Sequence, residues 1–314
     1  MVVEPSTPNV SVDVGQILPS VVSVRTTIPD DAYTASILGT ERTGHGVVIG
    51  ENGLILTIGY LVMEAESVWV IDHKGRPSAA HVLANDQETG FGLVQTLAPL
   101  QLPAVGLGSS VNAGVGDPVV VLGYGEASDA VQARIVSRRE FAGYWEYLVD
   151  NAIFTEPTYP DWSGAALFGR TGELLGICSL FIQRGDGEAA SDQNMFVPID
   201  LLKPILDELT AQGETSRPSR PWLGMFTMEA EDRLAVAGLV DNGPANKAGV
   251  KVGDFVLAVG GVPIADLADM YRRIWALGRA GAEVPLSIGR DGRTFDVTVH
   301  SGDRSDRLKA PPLH

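Results

Sequence analysis

The chain has 314 residues, enough for two domains, and with 45% hydrophobic residues it can bury a core in each. Its net charge of −16 argues against partners that carry negative charge at high density, such as nucleic acids and anionic membranes. A single cysteine, Cys178, excludes an internal disulfide, and no run approaches the ~18 apolar residues of a membrane-spanning helix.

Residues 1–15 read as a flexible, polar lead with neither a basic segment nor an apolar stretch. No signal peptide is visible, so the expectation is a cytoplasmic protein, or one of the periplasm or cell envelope if a leader is missing. From residue 16 the sequence is a succession of short β-patterns, at 19–27, 45–50, 54–57, 68–72, 79–84, 91–96, 118–123, 131–138, 144–149 and 173–182. Glycine and proline punctuate them, as 36 glycines and 19 prolines allow. Asn52-Gly53 is a strong hairpin signal between the second and third. Around Asp200 the apolar spacing changes from two to three or four, which predicts a helix over 200–209, with Pro204 tolerable only near its first turn.

The polar, proline-containing stretch 213–220 reads as a linker. A second domain over 221–303 follows, with strands expected at 222–227, 233–240, 255–259, 283–289 and 293–300. A short helix is expected at 244–248, and an amphipathic one at 266–277 with Leu267, Met270, Tyr271 and Ile274 on one face. Residues 304–314 read as a disordered tail. The run from Gly243-Pro244-Ala245 to Gly253-Asp254-Phe255 resembles the central segment of bacterial PDZ domains, and Pro221-Trp222-Leu223-Gly224-Met225 resembles their carboxylate-binding loop. That resemblance implies a groove in which consecutive backbone N–H groups hold a peptide's terminal carboxylate while a strand pairs with the peptide. Trp222, Leu223, Gly224, Met225, Met270 and Ile274 would build it, with Arg220 adding charge. The alternative is a PDZ fold whose groove is filled from within the chain.

In the first domain, Asp161-Trp162-Ser163-Gly164-Ala165-Ala166-Leu167, followed by the apolar run 174–182, resembles the nucleophile segment of trypsin-like proteases of the HtrA (high-temperature-requirement A) family. The family reads Gly-Asn-Ser-Gly-Gly there, so Asp161, Trp162 and Ala165 are departures. Gly44-His45-Gly46-Val47-Val48-Ile49 and Leu54-Ile55-Leu56-Thr57 match the strands before the family's general-base histidine, and Tyr60 stands at the histidine position. Asp86-Gln87-Glu88-Thr89-Gly90 matches the segment carrying the orienting aspartate, and Gly90 stands at the aspartate position. The resemblance spans about residues 16–303. It implies a mostly β protein: a chymotrypsin-like double β-barrel over 16–212 followed by an α+β PDZ domain.

Of the expected triad, Ser163 alone remains. A serine hydroxyl needs a base titrating near 7 to lose its proton. A phenol, with an ordinary pKa of about 10, donates hydrogen bonds instead, and Gly90 has no side chain with which to orient a replacement. Loss of the base or nucleophile in a comparable protease costs about 10⁶ in kcat, or roughly 8 kcal/mol of barrier. Asp161 would place a carboxylate beside a developing oxyanion, and Asp161 and Gly164 form a degenerate oxyanion loop. Cβ atoms at Asp161 and Ala165 also restrict the positive φ that such a turn tends to need. His45 is read as a non-catalytic core histidine, with a base for Ser163 as its alternative, and Asp161 as a carboxylate base is a further one. His73, His81 and Asp72 lack tight metal-ligand spacing, so no metal or cofactor is expected. Trp162, beside the serine, is a candidate plug for the substrate cleft.

The reading is a pseudoprotease of HtrA type that binds peptide or unfolded-protein segments through its PDZ domain, in a regulatory, scaffold or chaperone-like role. The resemblance further implies homotrimers, or mixed oligomers with an active relative. The rival is an active serine endopeptidase that uses Ser163 with a non-standard base.

Overall fold

The computed structural model describes residues 12–184, 191–230 and 233–309. A first short helix, α1 (Val14–Ile17), is capped by the Asp13 side chain, which accepts from the Gly15 N–H at 3.0 Å. The first barrel closes in the order β1-β2-β3-β6-β5-β4. Its strands are β1 (Val21–Thr27), β2 (Glu41–Gly50), β3 (Leu54–Ile58), β4 (Ser67–Ile71), β5 (Pro77–Asn85) and β6 (Phe91–Thr96). Between them lie the single turns α2 (Ala35–Leu38), after β1, and α3 (Gly59–Val62), which follows directly on β3. The Asn52-Gly53 turn forms as expected, with Gly53 at φ 81°.

The second barrel closes in the order β10-β11-β12-β9-β8-β7. It comprises β7 (Pro118–Leu122), β8 (Val131–Gly143), β9 (Tyr147–Glu156), β10 (Ala166–Phe168), β11 (Leu174–Arg184) and β12 (Ser191–Pro198). Every residue of β7 is buried, which explains its unbroken Pro-Val-Val-Val-Leu run: a strand covered on both faces has no polar side to alternate. The helix expected over 200–209 starts later, as α4 (Leu206–Gln212). Pro204 lacks an N–H and disfavours helical angles in the residue before it, so 199–201 form only a 3₁₀ turn. Gly213, left-handed at φ 77°, ends α4.

The chain divides into two compact units. Residues 1–139, 151–215 and 309–314 make the first, and residues 140–150 and 216–308 the second. The tip of the β8–β9 hairpin therefore belongs with the second unit, although the sequence reading places 16–212 in one block. The second unit has a sheet in the order β13-β14-β15-β17-β18, with β16 (Val262–Pro263) beside β15. The strands of that order are β13 (Met225–Ala230), β14 (Arg233–Leu239), β15 (Phe255–Val259), β17 (Glu283–Arg290) and β18 (Arg293–His300), and two helices, α5 (Pro244–Lys247) and α6 (Leu267–Ala276), complete the unit. Asp266 caps α6 by accepting from the Asp269 N–H at 2.8 Å, and the helix buries Leu267, Met270, Tyr271 and Ile274, the face its spacing predicts. The expected disordered tail differs over its first residues: 304–307 form a 3₁₀ turn capped by Asp303. In the first unit, the Lys309 N–H donates to Glu64 at 3.0 Å. Residues 1–11 of the expected flexible lead and 310–314 of the tail lie outside the described residues.

Candidate active site and peptide groove

Ser163 sits in the turn before β10, half-buried. Two close approaches fix that turn. The His45 N–H donates to the Ser163 carbonyl at 2.8 Å, and Gly164, at φ 77°, lies so near the His45 carbonyl that a Cβ there would stand 2.2 Å from its oxygen. Gly164 takes the positive φ of this loop, while Asp161 and Ala165 do not share it. The Gly164 N–H donates to the Cys178 carbonyl and the Ala165 N–H to the Trp162 carbonyl, both at 3.0 Å. Asp161 is exposed.

The helical turn α3 brings Tyr60 to Ser163. The Tyr60 hydroxyl lies 2.9 Å from the Ser163 Oγ and donates to the Ser179 carbonyl at 3.2 Å. A phenol has one proton. With that proton on Ser179, the serine hydroxyl is the donor of the 2.9 Å bond, and its acceptor is a neutral phenol oxygen with no useful basicity. Trp162 packs edge-on against the Tyr60 ring, centroids 6.2 Å apart, so the aromatic pair sits beside the serine.

Gly90 takes φ 84° at the end of a turn. Asp86 organises that turn by accepting from the Thr89 N–H at 2.9 Å and the Thr89 hydroxyl at 2.6 Å. The Gly90 carbonyl accepts from the Gly59 N–H at 2.7 Å, which ties the turn to the start of α3. Gly90 is thus held against the residue that precedes Tyr60, and it has no side chain to offer the Tyr60 phenol.

His45 is engaged through both ring nitrogens. Its Nδ1 accepts from the Tyr124 N–H at 2.8 Å, so its Nε2 carries the proton and donates to the Asp161 carbonyl at 2.7 Å. Burial holds its pKa below the usual histidine value. Its visible work is to fasten the serine loop. Asp72 is likewise engaged, accepting from the Lys74 and Arg76 N–H groups at 2.9 Å each and pairing with the Arg76 guanidinium at 2.7 Å. Among the described residues no cluster of metal-ligating side chains occurs. No helix among them is long and apolar enough to cross a membrane.

In the second unit, the loop before β13 aims consecutive N–H groups at one point, with Gly224 at φ 70°. The Glu146 carboxylate, from the tip of the β8–β9 hairpin, stands there. It accepts from Leu223 at 2.9 Å, Gly224 at 2.7 Å and Met225 at 3.0 Å. Burial pushes this carboxyl up to about 7, against the pull of those N–H groups and of the Arg304 charge. Leu223, Met225, Met270 and Ile274, expected to line the groove, are packed into the unit's apolar core. Trp222 is buried too and pairs with Gly302. Arg220, expected to charge the carboxylate site, lays its guanidinium over the Trp275 ring, 4.2 Å from the centroid. Sequence reasoning missed Glu146 altogether; its signal, a carboxylate at a hairpin tip, is common on any acidic surface.

A family model for the trypsin-like peptidase domain matches residues 44–177, and one for the PDZ domain matches residues 221–300. The chain is a trypsin-like peptidase domain with a PDZ domain behind it, and the proteins it resembles are DegP-like and HtrA-type proteases. It is 31% identical over 291 residues to a probable periplasmic serine endoprotease, DegP-like, of Pseudomonas fulva, a match covering 86% of the chain and 59% of the relative. It is 30% identical to the protein of the same name from Pseudomonas fluorescens, over 83% of the chain and 56% of the relative. It therefore spans under three fifths of the length of these relatives. Among solved structures, the serine endoprotease from Yersinia pestis superposes with a TM-score of 0.54 at 24% identity, covering 92% of this chain and 96% of that one. The HtrA-type protease AlgW with decapeptide superposes with a TM-score of 0.57 at 20% identity, covering 95% and 98%. These two likenesses establish the fold. The cytoplasmic placement read from the N-terminal residues is overturned by the relatives, which are named periplasmic.

Proposed function

We propose that this HtrA-type protein is a pseudoprotease of the periplasm, whose peptidase domain serves as a regulatory, scaffold or chaperone-like platform and whose PDZ domain takes up peptide or protein segments. The observation that carries the proposal is the hydrogen bond between Tyr60 and Ser163. It puts a non-basic phenol where acyl transfer needs a proton acceptor. Gly90 offers nothing to orient or charge a substitute, and His45 is held away by its own two hydrogen bonds. The exposed carboxylate of Asp161 adds negative charge beside the place where an oxyanion would form.

A second reading, an active endopeptidase that uses Ser163, is favoured by the name its relatives carry. Cleavage of unfolded casein by the purified protein and its Ser163→Ala variant separates the two. Equal background in both supports the pseudoprotease, and cleavage lost with Ser163→Ala supports the enzyme.

A further inference from the structure

The β8–β9 hairpin turns through Tyr144, Trp145 and Glu146, and Glu146 takes φ 60°. Three-residue hairpin loops place their left-handed residue there, and glycine is the usual occupant because a Cβ is disfavoured. A glutamate in that conformation is under local strain, so its side chain must supply something a glycine could not. The three N–H bonds from Leu223, Gly224 and Met225 supply it.

The rest of the tip follows the same groove. The Thr227 N–H on β13 donates to the Tyr144 carbonyl at 3.0 Å, the bond an added strand would make. The Tyr144 ring lies 6.1 Å from that of Phe226. On the helix side, the buried Tyr271 hydroxyl donates to the Gly143 carbonyl at 2.8 Å and accepts from the Glu146 N–H at 3.2 Å. Arg272 ion-pairs with Glu140, and with Asp150 at 2.7 Å, one residue on each arm of the hairpin. Ala142 and Leu148 pack against the apolar core. The tip thus lies between β13 and α6, with a carboxylate at the loop end.

We infer that the groove of the PDZ domain is occupied from within the chain. The tip 143–146 is its resident ligand, and a free peptide C-terminus enters only by displacing the Glu146 carboxylate. The inference rests on the peptide-binding reading above and adds the competitor. It also names the peptide class. A terminal carboxylate takes the place of the Glu146 side chain, and an aromatic residue two positions before the end takes the place of Tyr144 against Phe226. Peptides amidated at the C-terminus are excluded.

Glu146→Gly is the decisive variant, because glycine suits φ 60° and only the carboxylate is lost. Amide hydrogen exchange is read in the full chain and in this variant, followed by anisotropy titration with a fluorescein-labelled peptide ending Ser-Tyr-Trp-Val and its C-terminal amide. The expected result is faster exchange at Leu223, Gly224 and Met225 in the variant, with Val256 unchanged as the folding control. If the tip fills the groove nine-tenths of the time, the free-acid peptide binds the variant about tenfold tighter than the parent, and the amide binds neither. Equal affinity with unchanged exchange would overturn internal occupancy and leave peptide capture standing. Exposed amides with no uptake of either peptide would keep the internal contact but overturn peptide capture, and with it the displacement step.

Discussion

The Tyr60 hydroxyl rests 2.9 Å from the Ser163 Oγ, at the place the trypsin-like resemblance assigns to an imidazole. Tyr60→Phe removes the acceptor of the serine proton and the donor to Ser179. A net hydrogen bond in a half-buried setting is worth about 1 kcal/mol. Denaturant unfolding should show a loss of that order, and casein cleavage should stay at background. A rise in cleavage would mean that the phenol was suppressing an otherwise competent serine.

Restoring the base alone should also fail. In Tyr60→His the imidazole has no carboxylate to set its tautomer, because Gly90 carries no side chain. Adding Gly90→Asp places a Cβ on a backbone at φ 84°, which costs about 1–2 kcal/mol. The single variant is expected to leave casein intact, and the double variant to unfold at lower denaturant than either parent. Turnover by Tyr60→His alone would reveal an orienting group elsewhere in the barrel.

Much of this site was legible because it depends on local order. The strands around Gly44 and Leu54, the turn at Asn52-Gly53 and the segment leading to Gly90 each carry their pattern within a few residues, and the structure brings the Tyr60 hydroxyl to the Ser163 Oγ that those patterns frame. The PDZ domain was legible for the same reason, including the buried face of α6. What escaped notice depends on distance. Glu146 meets Gly224 across 78 positions in sequence, and no periodicity links a hairpin tip to a loop so far away. The turn itself was hidden because Glu146 fills a position where glycine or asparagine would have announced it. The charge of Arg220 suggests a place at the carboxylate, and sequence carries no sign of the Trp275 ring, 55 positions away, over which its guanidinium lies.

His45 makes the first barrel sensitive to acid. Its folded-state pKa is lowered, chiefly by burial, so between the folded and unfolded values the unfolded chain binds the extra proton. Its contribution to stability is therefore present above about 6.5 and is lost as pH falls through the lowered folded value. Protonation would also put an N–H on Nδ1, facing the Tyr124 N–H that it now accepts. Denaturant unfolding midpoints measured at pH 8, 6.5 and 5 should decline, and His45→Gln should flatten that decline. An unchanged slope in His45→Gln would assign the acid sensitivity to other groups.

Cys178 should be inert in the native protein. It is fully buried, and burial raises its thiol pKa well above the ordinary value, which suppresses the reactive thiolate. Ellman's reagent at pH 8 is expected to titrate no thiol until denaturant is added. Prompt reaction in buffer would show that the strand pair β10–β11, behind Ser163, opens readily.

The most direct measurement of the central claim is fluorophosphonate labelling read by intact mass, with the Ser163→Ala variant beside the parent. A serine that keeps its proton and only donates a hydrogen bond to a phenol is not activated, so the account predicts no adduct in either protein under conditions that saturate an active trypsin-like protease. A stoichiometric adduct on the parent that disappears in Ser163→Ala would contradict the account and establish Ser163 as a working nucleophile.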